Sequence, residues 1–172
     1  MNHRILQWLM VIVILGLAGF TWISHKSNSG DSLHQGSPAI DFKLKALDGI
    51  DLSLADYKGK GIILNFWGTF CKPCREEMPA LESQFQKYKD KGIVVIGIDA
   101  SEPQNTVSAY VKALGVHFPI VLDPGLEVAN AYQANELPYS VFITPDGHIS
   151  HINIGQMDEQ IIEKYLKTVL PK

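Results

Sequence analysis

Cysteine is scarce in this chain: Cys71 and Cys74 are the only two among 172 residues. That scarcity excludes a framework of several disulfides, and it excludes a structural zinc set, which needs a second cysteine or histidine pair. The six histidines supply no such pair, because they form no cluster. His148 and His151 lie three apart on an expected strand and so point to opposite faces. No metal ligand set is therefore assigned. Basic excess is missing as well. Fifteen Lys and Arg stand against 18 Asp and Glu, a net charge of −3, so nothing points to nucleic acid. Neither an internal repeat nor a low-complexity tract interrupts an otherwise ordinary globular composition.

Charge is absent from one stretch altogether. Ile5 to Ser24 carries no charged side chain; as a helix its twenty residues span ~30 Å, enough to cross a bilayer core. Trp8 and Trp22 stand near its two ends, where indoles favour the interface. No A-x-A site closes the run and it exceeds a usual signal core, so an uncleaved anchor over 1–26 is preferred to a cleaved signal peptide or a buried helix. No cysteine follows it, which excludes a lipid-modified anchor. Arg4 and the amino terminus precede the span and Lys26 follows it. On that margin the N-terminus is assigned to the cytoplasm and the remainder to the far side, an oxidising compartment. Residues 27–37 are small and polar and read as a flexible linker. Residues 38–172 are then one domain by size.

Within that domain the hydrophobic pattern alternates between the two periods. Ile40, Phe42, Leu44 and Ala46, then Ile50, Leu52 and Leu54, flank Asp48-Gly49 as an expected N-terminal β-hairpin. Ile62–Phe66 and Ile93–Ile98 read as buried strands, with a helix from Cys74 to about Lys89 between them that Pro79 should kink. Ser101 and Gln104 suggest a capping box for a second helix with Val107, Tyr110, Val111 and Leu114 on its apolar face. A strand over 118–122 and a short helix over 126–132 follow, then a strand over 139–143. Thr144-Pro145-Asp146-Gly147 turns the chain into a return strand over 148–154, and Ile161, Ile162, Tyr165, Leu166 and Val169 mark a closing helix. The fold class is α/β with a mixed sheet.

The two cysteines sit where the first buried strand meets the first long helix. A helix start leaves backbone N–H groups unpaired and favours negative charge, so Cys71 there is biased toward its thiolate. Such sites lower a thiol pKa from ~8.5 to ~3.5–7.5, and the thiolate is the attacking species. Lys72 and Arg75 add positive charge nearby. Cys74 lies one turn in and is covered, which makes Cys71 the attacker and Cys74 the resolver. The bland reading, an inert structural disulfide, gains little because so short a loop hardly constrains the unfolded chain. Glu77 lies three positions beyond Cys74 on the same helix face. It is a candidate proton acceptor, or else a solvated helix residue like its neighbour Glu76.

Together, Asn65-Phe66-Trp67-Gly68-Thr69-Phe70-Cys71-Lys72-Pro73-Cys74, Pro79 and Leu137-Pro138 make the domain resemble the ResA/TlpA family. These are thioredoxin-fold, membrane-anchored thiol–disulfide oxidoreductases facing away from the cytoplasm. The hairpin at the start and a strand–helix insertion between Ile98 and Pro138 fit that branch. The resemblance implies catalytic roles for Cys71, Cys74 and Glu77, and a cis-proline at Pro138 whose neighbour Leu137 offers its backbone to an extended substrate. It implies a substrate-contacting rim of Trp67, Phe70, Leu137, Pro138 and Tyr139, although Trp67 and Phe70 are packing residues first. No cofactor is implied beyond the Cys71–Cys74 pair.

As partners the resemblance implies a protein disulfide, above all the heme-binding Cys-x-x-Cys-His of an apocytochrome c, and a CcdA-like membrane donor of electrons. Spore-envelope proteins are the alternative substrate. This chain departs from the pattern at Asn65, where cytosolic thioredoxin has a buried Asp, at Phe70, which replaces Trp, and at Tyr139, where a small hydroxyl residue is common. Two further functions on this fold fit less well. Copper-delivery proteins place three residues between their cysteines, and this chain has two. Thiol peroxidases carry Pro-x-x-x-Thr-x-x-Cys, but Leu64 and Gly68 occupy the Pro and Thr positions before Cys71.

Overall fold

A computed structural model describes residues 33–172. The apolar run at Ile5–Ser24 and the first part of the linker lie outside the described residues. Among the described residues no helix is long and apolar enough to cross a membrane. The residues just ahead of the expected domain start at Pro38 are held by the sheet. The reason is local: Gly36 N–H donates to the Ile149 carbonyl at 2.7 Å and Ile149 N–H to the Ser37 carbonyl at 2.8 Å. The end of the linker is thus tied to a strand by backbone pairing.

The strands are β1 (Lys43–Ala46), β2 (Asp51–Ser53), β3 (Gly61–Trp67), β4 (Ile93–Asp99), β5 (Ile120–Leu122), β6 (Tyr139–Ile143) and β7 (Ile149–Ile154). They form one sheet in the order β2-β1-β5-β4-β3-β6-β7. β3, β4 and β5 run parallel, while β1, β6 and β7 pair antiparallel with their neighbours. The mixed sheet, the β1–β2 hairpin and the strand–helix insertion are those expected. β3 and β4 are buried along their whole length, as continuous apolar runs require when helices cover both faces.

Among the described residues, four α-helices pack on this sheet: α1 (Lys72–Tyr88), α2 (Gln104–Leu114), α3 (Glu127–Ala131) and α4 (Glu159–Leu166). α1 continues through Pro79 although the ring removes one ladder donor. α2 has no capping box. Pro103 is its N-cap with φ −62° and no side-chain cap. Ser101 is held at φ 71°, and its hydroxyl is spent on the Pro124 carbonyl. Of the predicted apolar stripe only Val107 is fully buried, and Leu114 is exposed at the helix end.

Strand alternation divides the core. Ile62, Leu64 and Phe66 face one cluster with Tyr132 and Val141, while Ile63 and Trp67 face the other with Met78, Leu81, Phe142 and Ile162. Cys71 and Cys74 belong to the second cluster. Asn65 falls between Ile63 and Trp67 in this alternation, so a polar group enters the face that α1 covers.

α3 is only five residues long and depends on a distant cap. Asp123 accepts from Glu127 N–H at 3.0 Å and from Ala129 N–H at 2.8 Å, and it is buried. Replacing Asp123 with alanine is expected to cost about 1–2 kcal/mol of stability. Urea unfolding would read this as a lower midpoint at unchanged slope.

Candidate active site: a disulfide at a helix start

β3 ends at Trp67, and the turn Gly68-Thr69-Phe70 delivers Cys71 to the start of α1. Cys71 N–H donates to the Gly68 carbonyl at 3.1 Å. Cys71 is the N-cap of α1, in extended backbone, and its Sγ accepts from Cys74 N–H at 3.3 Å. A sulfur thus occupies the place of a capping oxygen, where helix N–H groups stabilise a thiolate once the pair is reduced. Cys71 and Cys74 are joined as a disulfide. Cys71 retains 9 % exposure and Cys74 only 1 %.

Glu77 is far more enclosed than a solvated helix residue would be. Its side chain is buried, with Oε1 accepting from Asn65 Nδ2 at 2.6 Å and Oε2 from Met157 N–H at 2.8 Å. Asn65 Nδ2 also donates to Ser140 Oγ at 2.9 Å, while Asn65 Oδ1 is buried without a partner. Burial pushes the Glu77 carboxyl up to about 7, against the lowering effect of its Met157 and Asn65 bonds. Desolvation therefore outweighs two hydrogen bonds to the charged form. The Asn65 amide carries no exchangeable acid proton and meets Glu77 as a hydrogen-bond donor.

The rim residues separate into two groups. Phe70 is 67 % exposed, with its ring folded over Gly68: a Cβ there would lie 2.5 Å from the ring. Leu137 is half-buried, and the Leu137–Pro138 peptide is cis. Phe70 and Leu137 line one shallow cavity with Ala100, Leu126, Ala129 and Asn130. Trp67 is fully buried and Tyr139 nearly so. Trp67 packs near Tyr110, Tyr139 packs edge-on against Phe66, and neither presents a face to a partner in this structure. Among the described residues no group of three His, Cys, Asp or Glu side chains is placed to hold a metal ion.

The sequence pattern missed two features. One is Met157, whose backbone reaches Glu77 from a loop before α4. The other is the contact of Glu102 with Thr69, two residues ahead of the nucleophile position. An Asp closing the apolar run of β4 was the available signal for the second.

Comparison with known proteins agrees with this geometry. Residues 35–152 match the model of the AhpC/TSA family. Over 175 aligned residues the chain is 36% identical to "Thiol-disulfide oxidoreductase ResA" of Halalkalibacterium halodurans, covering 100% of this chain and 99% of the relative. The chain belongs to this family. It is a thioredoxin-fold thiol–disulfide oxidoreductase related to the ResA/TlpA proteins. Among solved structures it is similar to a thioredoxin-family thiol:disulfide interchange protein of Chlorobium tepidum, with a TM-score of 0.72 and 27% identity over 79% of this chain and 97% of the other. It is also similar to StoA of Bacillus subtilis, with a TM-score of 0.65 and 28% identity over 74% and 98%. The Cys71–Cys74 pair is the redox-active group of the ResA-like chain.

Proposed function

We propose that this oxidoreductase is a membrane-anchored reductase of protein disulfides on the extracytoplasmic side. Its substrate is the Cys-x-x-Cys-His disulfide of an apocytochrome c. The reading is carried by one observation: Cys71, the more exposed sulfur, caps α1 while Cys74 and the Glu77 carboxyl are buried along the same helix. The full-length similarity to a ResA protein and the uncharged run Ile5–Ser24 support the anchored placement.

In the reduced protein the Cys71 thiolate attacks one sulfur of the substrate disulfide, and the other substrate sulfur leaves as a thiolate. Cys74 then attacks Cys71 Sγ, which releases the second substrate thiol and forms the Cys71–Cys74 disulfide. Glu77 accepts the Cys74 proton as that thiol becomes the second nucleophile. Phe70 and Leu137 flank the substrate segment, with Pro138 behind it. Two electrons from a CcdA-like membrane dithiol restore the reduced pair.

The test is equilibrium with a glutathione or dithiothreitol buffer, followed by reduction of a disulfide-bonded Cys-x-x-Cys-His peptide. A potential below about −230 mV and stoichiometric peptide reduction are expected of a reductase. A value near about −120 mV, typical of a strong oxidant, overturns the assignment.

A further inference from the structure

A pair of carboxyl groups stands behind the turn that carries Cys71. Asp99 ends β4 directly opposite Trp67 of β3, is fully buried, and faces α1 by strand alternation. Its Oδ1 accepts from Glu102 N–H at 2.9 Å, while Oδ2 is buried with no partner. Glu102 in turn takes both donors of Thr69. Its Oε2 accepts the backbone N–H and its Oε1 the hydroxyl, each at 2.5 Å. The Asp99 carboxyl is thus bound to the Glu102 backbone and buried beside it. The link between β4 and α2 is therefore fastened to the Gly68–Phe70 turn by three hydrogen bonds that converge on two acids.

We infer that Asp99 and Glu102 are positioning residues for the nucleophile: Glu102 clamps Thr69, Asp99 holds Glu102, and a proton on Asp99 keeps the clamp closed. That proton belongs on Asp99, whose carboxyl is fully buried with Oδ2 unpartnered, where a charge is costly. Burial raises the Asp99 pKa, and the nearby Glu102 charge adds to the rise. Among the neighbouring charged groups, Asp123 at the end of β5 spends its oxygens on Glu127 and Ala129, and Arg75 is the α1 cation on the side of Tyr110. Loss of that proton puts a second negative charge beside Glu102 and loosens Thr69.

This inference rests on Cys71 being the attacking thiol, so the experiment uses the Cys74→Ser protein, in which Cys71 is the sole thiol. Its rate of alkylation by neutral iodoacetamide is divided by the thiolate fraction read from ultraviolet absorbance, between pH 5 and 9. Failure of Cys71 to react at all defeats the functional reading itself. Given reaction, the per-thiolate rate is expected to change across neutral pH. Glu102→Ala is expected to shift that rate by roughly tenfold, in keeping with misplacement of a reacting group, and Glu102→Gln to restore part of it. Asp99→Asn, whose amide donates permanently to Glu102, is expected to flatten the pH dependence while Glu77 is still present. A Glu102→Ala rate equal to the parent's, or an unaltered pH step in Asp99→Asn, overturns the clamp. If Asp99→Asn folds poorly, hydrogen exchange at Thr69 N–H in the parent decides. Protection that weakens above neutral pH supports the clamp, and constant protection contradicts it.

Discussion

Replacing Glu77 with glutamine is expected to flatten the pH dependence of folding stability by about 2–3 kcal/mol between pH 5 and pH 8. The folded-state pKa is about 7 against an ordinary 4.5. Between those values the folded chain holds a proton that the unfolded chain has released, so stability falls as pH rises through this window. A separation of ~2.5 units converts at ~1.36 kcal/mol per unit to about 3 kcal/mol in full, most of it lost by pH 8. Glutamine carries no charge to desolvate and keeps an acceptor oxygen for one of the two donors, Met157 N–H or Asn65 Nδ2, that Glu77 now serves. Urea unfolding of the oxidised proteins at pH 5, 6, 7 and 8 should give curves that diverge with rising pH. Parallel curves would mean that Glu77 is ionised throughout. Other groups, Asp99 among them, titrate in both proteins and cancel in the difference.

The same carboxyl links stability to chemistry. A neutral Glu77 leaves the thiol pKa values to the helix start, which lowers them, and an ionised Glu77 opposes that effect. A group near 7 is also well matched to receive a thiol proton at neutral pH. The enclosed environment that makes Glu77 costly to ionise therefore makes it useful as an acid–base partner.

Substituting Cys71 with serine is expected to abolish disulfide reduction, a loss of at least ~10³-fold, since a hydroxyl at the helix start is not ionised at neutral pH and cannot attack sulfur. Cys74→Ser removes turnover as well but leaves the first attack intact. The asymmetry follows from position. Cys71 caps the helix and keeps some exposed surface, while Cys74 lies beneath it. An insulin-disulfide assay read alongside stopped-flow measurement of the first step separates the two. Equal loss of the first step in both variants would contradict the roles assigned to the two sulfurs.

Much of the architecture was legible because its signals are local. Ile62–Phe66 and Ile93–Ile98 are apolar runs with turn residues at both ends, and they are the two central strands. Asp48-Gly49 and Pro145-Asp146-Gly147 supply the turn chemistry their hairpins need. Cys71 and Cys74 declare themselves by spacing and by the strand before them. The capping of α2 was misread for the opposite reason. Ser101 has a spatial neighbour in Pro124 that no spacing rule reveals, and Pro103 starts the helix without a side-chain cap.

The site's polar interior was legible only in part. Glu77 could be placed on the face of Cys74 by helical periodicity, yet its bonds to Asn65 and Met157 span twelve and eighty positions. Glu102 reaches Thr69 across thirty-three. Such contacts depend on how β3, β4 and α4 pack, which the pattern of any single element does not carry. Trp67 shows the converse. The family resemblance adds a substrate contact to its packing role, whereas strand alternation turns it wholly inward.

The most direct test is a trapping experiment with the reduced Cys74→Ser protein and a disulfide-bonded Cys-x-x-Cys-His peptide, read by intact mass and by peptide mapping. A one-to-one mixed disulfide on Cys71 that dithiothreitol reverses is the predicted result. No adduct under conditions where a small-molecule disulfide reacts, or an equally fast adduct on Cys74 in the Cys71→Ser protein, would contradict it.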